Sequence, residues 1–317
     1  MNFSIKHYLY MMTTVVFLSG CLDTGDTDFE KQVKFEEKLI TDHLESNNIT
    51  ATRDNSGMYY QVLEKNTGGT PVEEEDVVSI RYVMKTLGGK FIDSLSMSTE
   101  ADSAVIFQHV TGAIYPEGIN WGVRLMNEGE KFRFYIPSYY GFKNYSYKTL
   151  IPSESILVVD VEVVDVLSAS DMAAREDQGI KDYIAENELE NVKKQSSGVY
   201  YQVLEEGSGS VLKAGQSVEV QYKGYFPNGE VFDESKSDTP LSFVVGYNNL
   251  IAGFDEGIKL MKKGEKGRIF IPSKHAYNQG TQVIPGLIRK DFLEKYQIRN
   301  MPPFQTLIFD VEVTKVN

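Results

Sequence analysis

Val220-Gln221-Tyr222-Lys223-Gly224, a Pro227-Asn228-Gly229 turn and Val231-Phe232-Asp233 open the stretch whose reading decides the fold. It continues through Leu241-Ser242-Phe243-Val244-Val245-Gly246, Leu250-Ile251-Ala252-Gly253-Phe254-Asp255-Glu256-Gly257 and Ile269-Phe270-Ile271-Pro272-Ser273 to Tyr277. Tyr222, Phe232, Phe243, Ile251, Phe254 and Tyr277 are too apolar for a solvated surface. The segments that carry them are short and punctuated by Gly, Pro and Asn, the pattern of a small antiparallel sheet with one short helix.

Working outward, the same pattern occurs twice. Gly57-Met58-Tyr59-Tyr60-Gln61-Val62-Leu63-Glu64 returns as Gly198-Val199-Tyr200-Tyr201-Gln202-Val203-Leu204-Glu205. Tyr82 matches Tyr222, Asp93 matches Asp233, and Ile136-Pro137-Ser138 matches Ile271-Pro272-Ser273. Val159-Asp160-Val161-Glu162-Val163 matches Phe309-Asp310-Val311-Glu312-Val313. A period of about 140 residues is a domain duplication, since solenoid units run to roughly 20–50 residues. A length of 317 residues accommodates two such domains.

Each copy has a helical preface. Phe29 to Leu44 sets Phe29, Val33, Leu39, Ile40 and Leu44 in an apolar stripe, and Ser170 or Asp171 is expected to cap a second helix carrying Ile180, Tyr183 and Ile184. Packing on the parent domain and a dimer or interdomain role are both open to these helices. Each copy ends in a strongly alternating strand, Leu157–Val166 and Thr306–Val316.

Composition narrows the function classes. A net charge of −13 without a Lys/Arg stripe argues against nucleic acid. One cysteine excludes an intramolecular disulfide framework, and four histidines without paired cysteines or a HExxH pattern argue against a metal site. No cofactor is implied.

The amino terminus reads as a leader. Lys6 and His7 precede an apolar run from Tyr8 to Leu18, too short and too early for a spanning helix. It ends in Leu18-Ser19-Gly20-Cys21, which resembles a lipoprotein lipobox. On that reading residues 1–20 are a signal peptide, Cys21 carries the lipid, and 21–28 form an acidic tether. An ordinary secreted protein with a stray thiol is the alternative. Lipidation places the protein in the bacterial cell envelope, on the periplasmic or outer-membrane side.

The second copy, Gly198 to Asn317, resembles the FKBP-type peptidyl-prolyl cis–trans isomerases. The residues that carry the resemblance are Val220–Gly224, Gly229–Asp233, Leu250–Phe254, Ala276-Tyr277 and Leu307–Glu312. The resemblance implies an α+β chain of two FKBP-like domains, 29–167 and 168–317. Each is a twisted antiparallel sheet of about five strands wrapped on a short helix, with the site between them. It implies that Tyr222, Phe232, Asp233, Ile251, Phe254 and Tyr277 do the chemistry, and that Phe243, Leu250, Met301 and Phe309 help to bind substrate. Phe254 forms the floor, where many relatives carry Trp. The Ile251 N–H and Tyr277 hydroxyl are donors to substrate carbonyls. Asp233 is a buried carboxylate tied to Tyr222, unless it only makes an Asx turn ahead of Ser235.

The first copy keeps Tyr82, Asp93, Phe107 and Tyr140 but has Ile92, Ile119 and Val159 where the second has Phe232, Phe254 and Phe309. Pro116 aligns with Ile251 and has no N–H to donate. This copy therefore reads as degenerate. Trp121 reads as helix packing, and the loop Tyr139–Tyr147 either binds polypeptide or covers a half-buried edge. In the second copy Asn278 replaces the glycine usual in relatives, and an insertion follows, from about Gln279 to Asn300. Phe292, Leu293 and Tyr296 fall on one side of a short helix there. The insertion is expected at the mouth of the second cleft, as a lid or as a mobile surface excursion. The chain thus reads as a lipid-anchored prolyl isomerase acting on folding exported proteins through its second domain. The alternative is a chaperone or assembly module that grips polypeptide with both pockets.

Overall fold

The computed structural model describes residues 26–95, 104–236, 238–247, 250–278, 280–298 and 300–317. The leader and Cys21 lie outside the described residues. The chain folds as two copies of one α+β unit. In the first, the sheet runs in the order 52–53, 59–64, 131–136, 157–167, 77–86, 91–95, with 105–108 also paired to 77–86. In the second the order is 193–194, 200–205, 266–271, 307–316, 217–225, 231–234, with 241–244 paired to 217–225. Each sheet has seven strands rather than the expected five. The two-residue edge strands 52–53 and 193–194 add to the count and are too short to carry an alternating pattern.

Strict alternation makes the last strand of each copy the centre of its sheet. Leu157, Val159, Val161 and Val163 are all fully buried, as period-two side chains on one face must be. Its other face carries Val158 and Ile308 under the preface helices and the polar Asp160 and Asp310, with which Arg133 and Arg268 make bidentate pairs at 2.6–2.9 Å.

Helix α1 (Asp28–Ser46) covers the outer face of the first sheet with Ile40 and Leu44, against Tyr135 and Ile156. Helix α3 (Ala169–Glu186) does the same for the second with Ile180, against Tyr200, Phe270 and Ile308. Thr27 and Glu30 close a capping box at the start of α1, so Thr27 and Asp28 belong to the helix entry and not to a free tether. Ser168, not Ser170 or Asp171, caps α3 by accepting the Asp171 N–H at 3.1 Å. In each helix one buried glutamate reaches the Ile-Pro-Ser motif of its own copy. Glu36 accepts from Ser138 N–H (2.7 Å) and Oγ (2.5 Å), and Glu176 from Ser273 N–H (3.1 Å) and Oγ (2.8 Å). Met172 of α3 also packs with Val77 of the first copy and Phe304 of the second.

The inner face of each sheet holds a short helix, α2 (Glu117–Val123) or α4 (Ala252–Ile258). Glycines let it lie against the strands. A Cβ at Gly253 would come within 2.2 Å of Ile271 Cγ2, and one at Gly257 within 2.4 Å of Ile269 Cδ1. Gly118 and Gly122 stand in the same relation to Ile136 and Phe134.

The insertion does not cover the cleft of the copy that carries it. Gln282-Val283 forms a parallel strand pair with Ile114-Tyr115 of the first copy. The chain then passes Pro285 into α5 (Gly286–Tyr296), which lies on the first copy. Val283, Ile284, Ile288, Phe292 and Leu293 are buried in one cluster with Phe107, Ile114, Ile119, Phe142, Tyr145 and Val159. Both expectations for this segment, a lid on the second cleft and a mobile excursion, are corrected by that packing.

Candidate active site

In the second copy the strand 217–225 carries Tyr222, and 231–234 brings Phe232 and Asp233 alongside it. Leu250 and Ile251 lead into α4, which presents Phe254, and the last strand supplies Phe309. Ala276 and Tyr277 follow the turn at Ser273–His275. Together with Leu241 these residues line an open cavity of about 530 Å³.

The wall is a set of rings held edge to face. Phe254 and Phe309 lie 4.9 Å apart at 73°, Phe232 and Phe309 5.5 Å apart at 86°, and Tyr222 and Phe254 6.1 Å apart at 75°. T-shaped contacts of this kind fix ring orientation. Gly224 makes room for them, since a Cβ there would sit 2.8 Å from both Phe232 and Phe309.

The polar groups are few. The Tyr222 hydroxyl donates to Asp233 Oδ2 at 2.8 Å. Burial, with Asp233 second, pushes the Tyr222 phenol up to about 12, so it remains a donor near neutral pH. Ile251 precedes α4 with φ −60°, and among the described residues its N–H has no acceptor. The His275 Nε2 lies 3.0 Å from the Ser197 carbonyl, a structural contact.

Ten residues were expected in this site, and eight line the cavity. Phe243 lies beneath it, packed on Phe254 at 6.2 Å, because its side chain points deeper into the core than that of Leu241 two residues earlier. Met301 packs at the edge of the same core but is not on the cavity wall. Asp233, expected to be buried, is exposed and faces the open cleft while keeping its bond to Tyr222. The Asx turn is not formed, as Ser235 instead contacts the Tyr222 backbone. Leu241 and Ala276 were missed, although Ala276 adjoins Tyr277 in the motif. Asn278 adopts φ +47°, the backbone region that favours Gly and tolerates Asn.

The first copy repeats the frame in a closed form. The Tyr82 hydroxyl donates to Asp93 Oδ2 at 3.0 Å, but Tyr82 is only 5% exposed. Burial and then Asp93 push its phenol far up. Ile92, Ile119 and Val159 are buried aliphatic residues in place of rings. Pro116 stands at the start of α2 as Ile251 stands at the start of α4. The cleft is filled by the insertion. Burial holds the Arg289 guanidinium below its ordinary value, opposed by the neighbouring Tyr82. The tyrosine-rich loop packs against the insertion of its own chain. Tyr145 is 1% exposed, donates to Asp291 Oδ2 at 2.7 Å and meets Phe292 edge-on at 5.3 Å. Trp121 packs beside Tyr140 under the Arg124 guanidinium.

Two half-wrapped sheets, each closed on a short helix and each carrying a tyrosine–aspartate pair, define a duplicated fold in which the motif cleft of the second copy is open. The family model for FKBP-type peptidyl-prolyl cis-trans isomerases matches residues 68–164 and 209–314, together more than half of the chain. The chain belongs to that family. It is similar to the FKBP-type peptidyl-prolyl cis-trans isomerase FkpA of Escherichia coli strain K12, 39% identical over 126 residues, covering 39% of this chain and 40% of FkpA. It is also similar to FK506-binding protein 1 of Candida glabrata, 38% identical over 122 residues, covering 38% of this chain and 94% of that protein. The crystal structure of FkpA from Escherichia coli aligns with 35% identity and a TM-score of 0.35, covering 47% of this chain and 63% of that one. The chain spans less than half the length of the longer curated relatives it matches.

A wider groove of about 770 Å³ separates α1 from the loop around Tyr139–Asn144; Ser138 and Tyr140 line it, but Tyr82 and Asp93 do not. Among the described residues no cluster of His, Cys, Asp and Glu could hold a metal ion, and no helix is long and apolar enough to cross a membrane.

Proposed function

We propose that the protein is a peptidyl-prolyl cis–trans isomerase whose catalytic cleft is that of the second copy. The observation that carries this reading is the open, ring-walled cavity around Tyr222, Phe232, Ile251, Phe254 and Phe309. Rotation about an X–Pro bond meets a barrier of about 18–20 kcal/mol because resonance keeps the amide planar. Uncatalysed exchange takes tens to hundreds of seconds. A twisted amide has lost that resonance, so its carbonyl and nitrogen are less polar as a unit and better accommodated among rings than in water. Fixed donors then hold the twisted geometry without reorganising. In this cleft the Ile251 N–H and the Tyr277 hydroxyl hold carbonyls of the substrate. Asp233, oriented by Tyr222, lies beside the carbonyl that turns. The proline ring seats on Phe254.

The reading extends to the cell envelope. Cys21 behind Leu18-Ser19-Gly20 anchors the protein through lipid, and its clients are exported polypeptides that fold there. A second reading, a module that grips polypeptide without isomerising it, is favoured only for the first copy, whose cleft already holds a peptide segment.

The test is isomerisation of an Ala-Leu-Pro-Phe-type peptide by the mature full chain. The expected result is activity well above buffer, lost on Asp233→Ala and kept on Asp93→Ala. Activity no different from buffer, or lost only with Asp93→Ala, would sink the assignment to the second cleft. For the anchor, Cys21→Ser should move the protein from the membrane fraction to the soluble one; membrane retention would rule out lipid at Cys21.

A further inference from the structure

The segment that fills the first cleft is built like a ligand, independently of whether the second cleft is catalytic. Its first part is a strand. The Gln282 N–H donates to the Ala113 carbonyl at 2.7 Å and the Ile284 N–H to the Tyr115 carbonyl at 2.9 Å. Main-chain bonds of this kind take up an extended peptide at an exposed edge, while pockets for side chains give selectivity. Val283, Ile284 and Pro285 are buried there. Its second part is a helix, α5, whose Ile288, Phe292 and Leu293 face the first copy at the i, i+4, i+5 spacing of an amphipathic helix in a groove. The receptor side is equally specific. Tyr145 offers a hydroxyl to Asp291, a ring edge to Phe292, and a ring face to the Lys295 ammonium at 4.8 Å.

The insertion also leaves its own copy at a closed base. The Phe304 N–H donates to the Asn278 carbonyl at 2.8 Å, and Gly280 lies against the Met301 carbonyl. None of Val283, Ile284, Ile288, Phe292 or Leu293 belongs to the core of the second copy. The segment therefore serves the fold of the first copy and not that of the second.

We propose that the first cleft is a polypeptide-binding site in its own right, specific for an apolar strand, a proline and an amphipathic helix in that order. The insertion fills it in cis, and an exogenous segment of the same pattern takes it when the insertion is withdrawn. Tethering at both ends gives the insertion an effective concentration of about millimolar or higher, so an outside segment competes poorly while it is seated.

The experiment replaces residues 280–300 of the full chain with a short Gly-Gly turn and titrates it with a labelled synthetic peptide of residues 280–298. Saturable one-to-one binding is expected, at least tenfold weaker for a peptide carrying Ile284→Asp and Phe292→Asp. The intact chain should bind the peptide at least a hundredfold more weakly. A folded shortened chain that ignores the peptide overturns the proposal, as does equal binding of a scrambled peptide or equal binding by the intact chain. Should the shortened chain fail to fold, the intact chain with Phe292→Asp provides the second arm. There the Gln282 and Ile284 amides should lose protection from hydrogen exchange and binding of the wild-type peptide should appear. Unchanged protection, or lost protection without binding, would count against it.

Discussion

The two clefts share a frame down to the tyrosine–aspartate bond, 3.0 Å in one copy and 2.8 Å in the other, yet one is filled and the other open. Three substitutions account for much of the contrast. Where the second cleft has Phe232, Phe254 and Phe309, the first has Ile92, Ile119 and Val159. Those exchanges remove three rings, and the aliphatic side chains that remain pack with Ile284, Ile288 and Phe292 of the insertion. The fourth difference is Pro116 against Ile251, which removes an N–H without disturbing the entry to the helix. The lesson is that two clefts on one frame can part in two separate ways, by lacking a donor and by holding an occupant, and the first copy shows both.

The largest expected effect comes from emptying the occupied side. Phe292→Ala should leave a cavity in the first core and cost about 3–5 kcal/mol, read from denaturant unfolding of the full chain, while peptide isomerisation by the second cleft stays unchanged. A cost near zero would mean that the insertion rests on the first copy without completing it. Next is a substitution that makes the open cleft resemble the closed one. Ile251 already has φ −60°, close to the −65° that proline imposes. Ile251→Pro should therefore fold normally by circular dichroism yet lose isomerisation by about a hundredfold, the usual scale for one preorganised donor. Near-full activity would remove the Ile251 N–H from the mechanism. Pro116→Ile, with the insertion still seated, should confer nothing.

The smallest effect concerns the preface helices. Glu176 is held above its ordinary value of 4.5 by burial, partly offset by the Ser273 hydrogen bonds. Its folded form therefore binds the proton more tightly than the unfolded chain does, so the stability Glu176 contributes is fully present below 4.5 and is lost as the pH rises through the raised value. Thermal unfolding followed upward from about pH 4 should show this decline, and Glu176→Gln should flatten it. An identical slope in the variant would assign the decline to other groups.

Much of this architecture was legible because it depends on local pattern. The repeat of Tyr59–Glu64 at Tyr200–Glu205, the alternation ahead of Val163 and Val313, and the clustering of Tyr222, Phe232, Ile251 and Tyr277 need no knowledge of a third dimension. Pro116 was informative for the same reason, since a missing N–H is a property of the residue itself. The destination of the insertion was not legible. Phe292, Leu293 and Tyr296 announced an apolar face, but Tyr145 lies 146 residues before its Asp291 partner on that helix, and only the relative placement of the two copies brings them together. Phe243 failed on a finer point, because two residues on one face of a strand, Leu241 and Phe243, differ in depth rather than direction. Asp233 was expected to be buried because the resemblance implied it, whereas in an open cleft the carboxylate meets solvent.

The closed base at Asn278 and Phe304 has a consequence for the order in which the protein matures. The ribosome delivers the first copy complete in its own strands long before residues 282–293, so its apolar cleft emerges uncovered. At translation rates of about 5–20 residues per second, that exposure lasts on the order of ten seconds. A nascent chain of this design waits for its own later sequence, and any factor that shields greasy grooves during synthesis has a natural window on the first half alone.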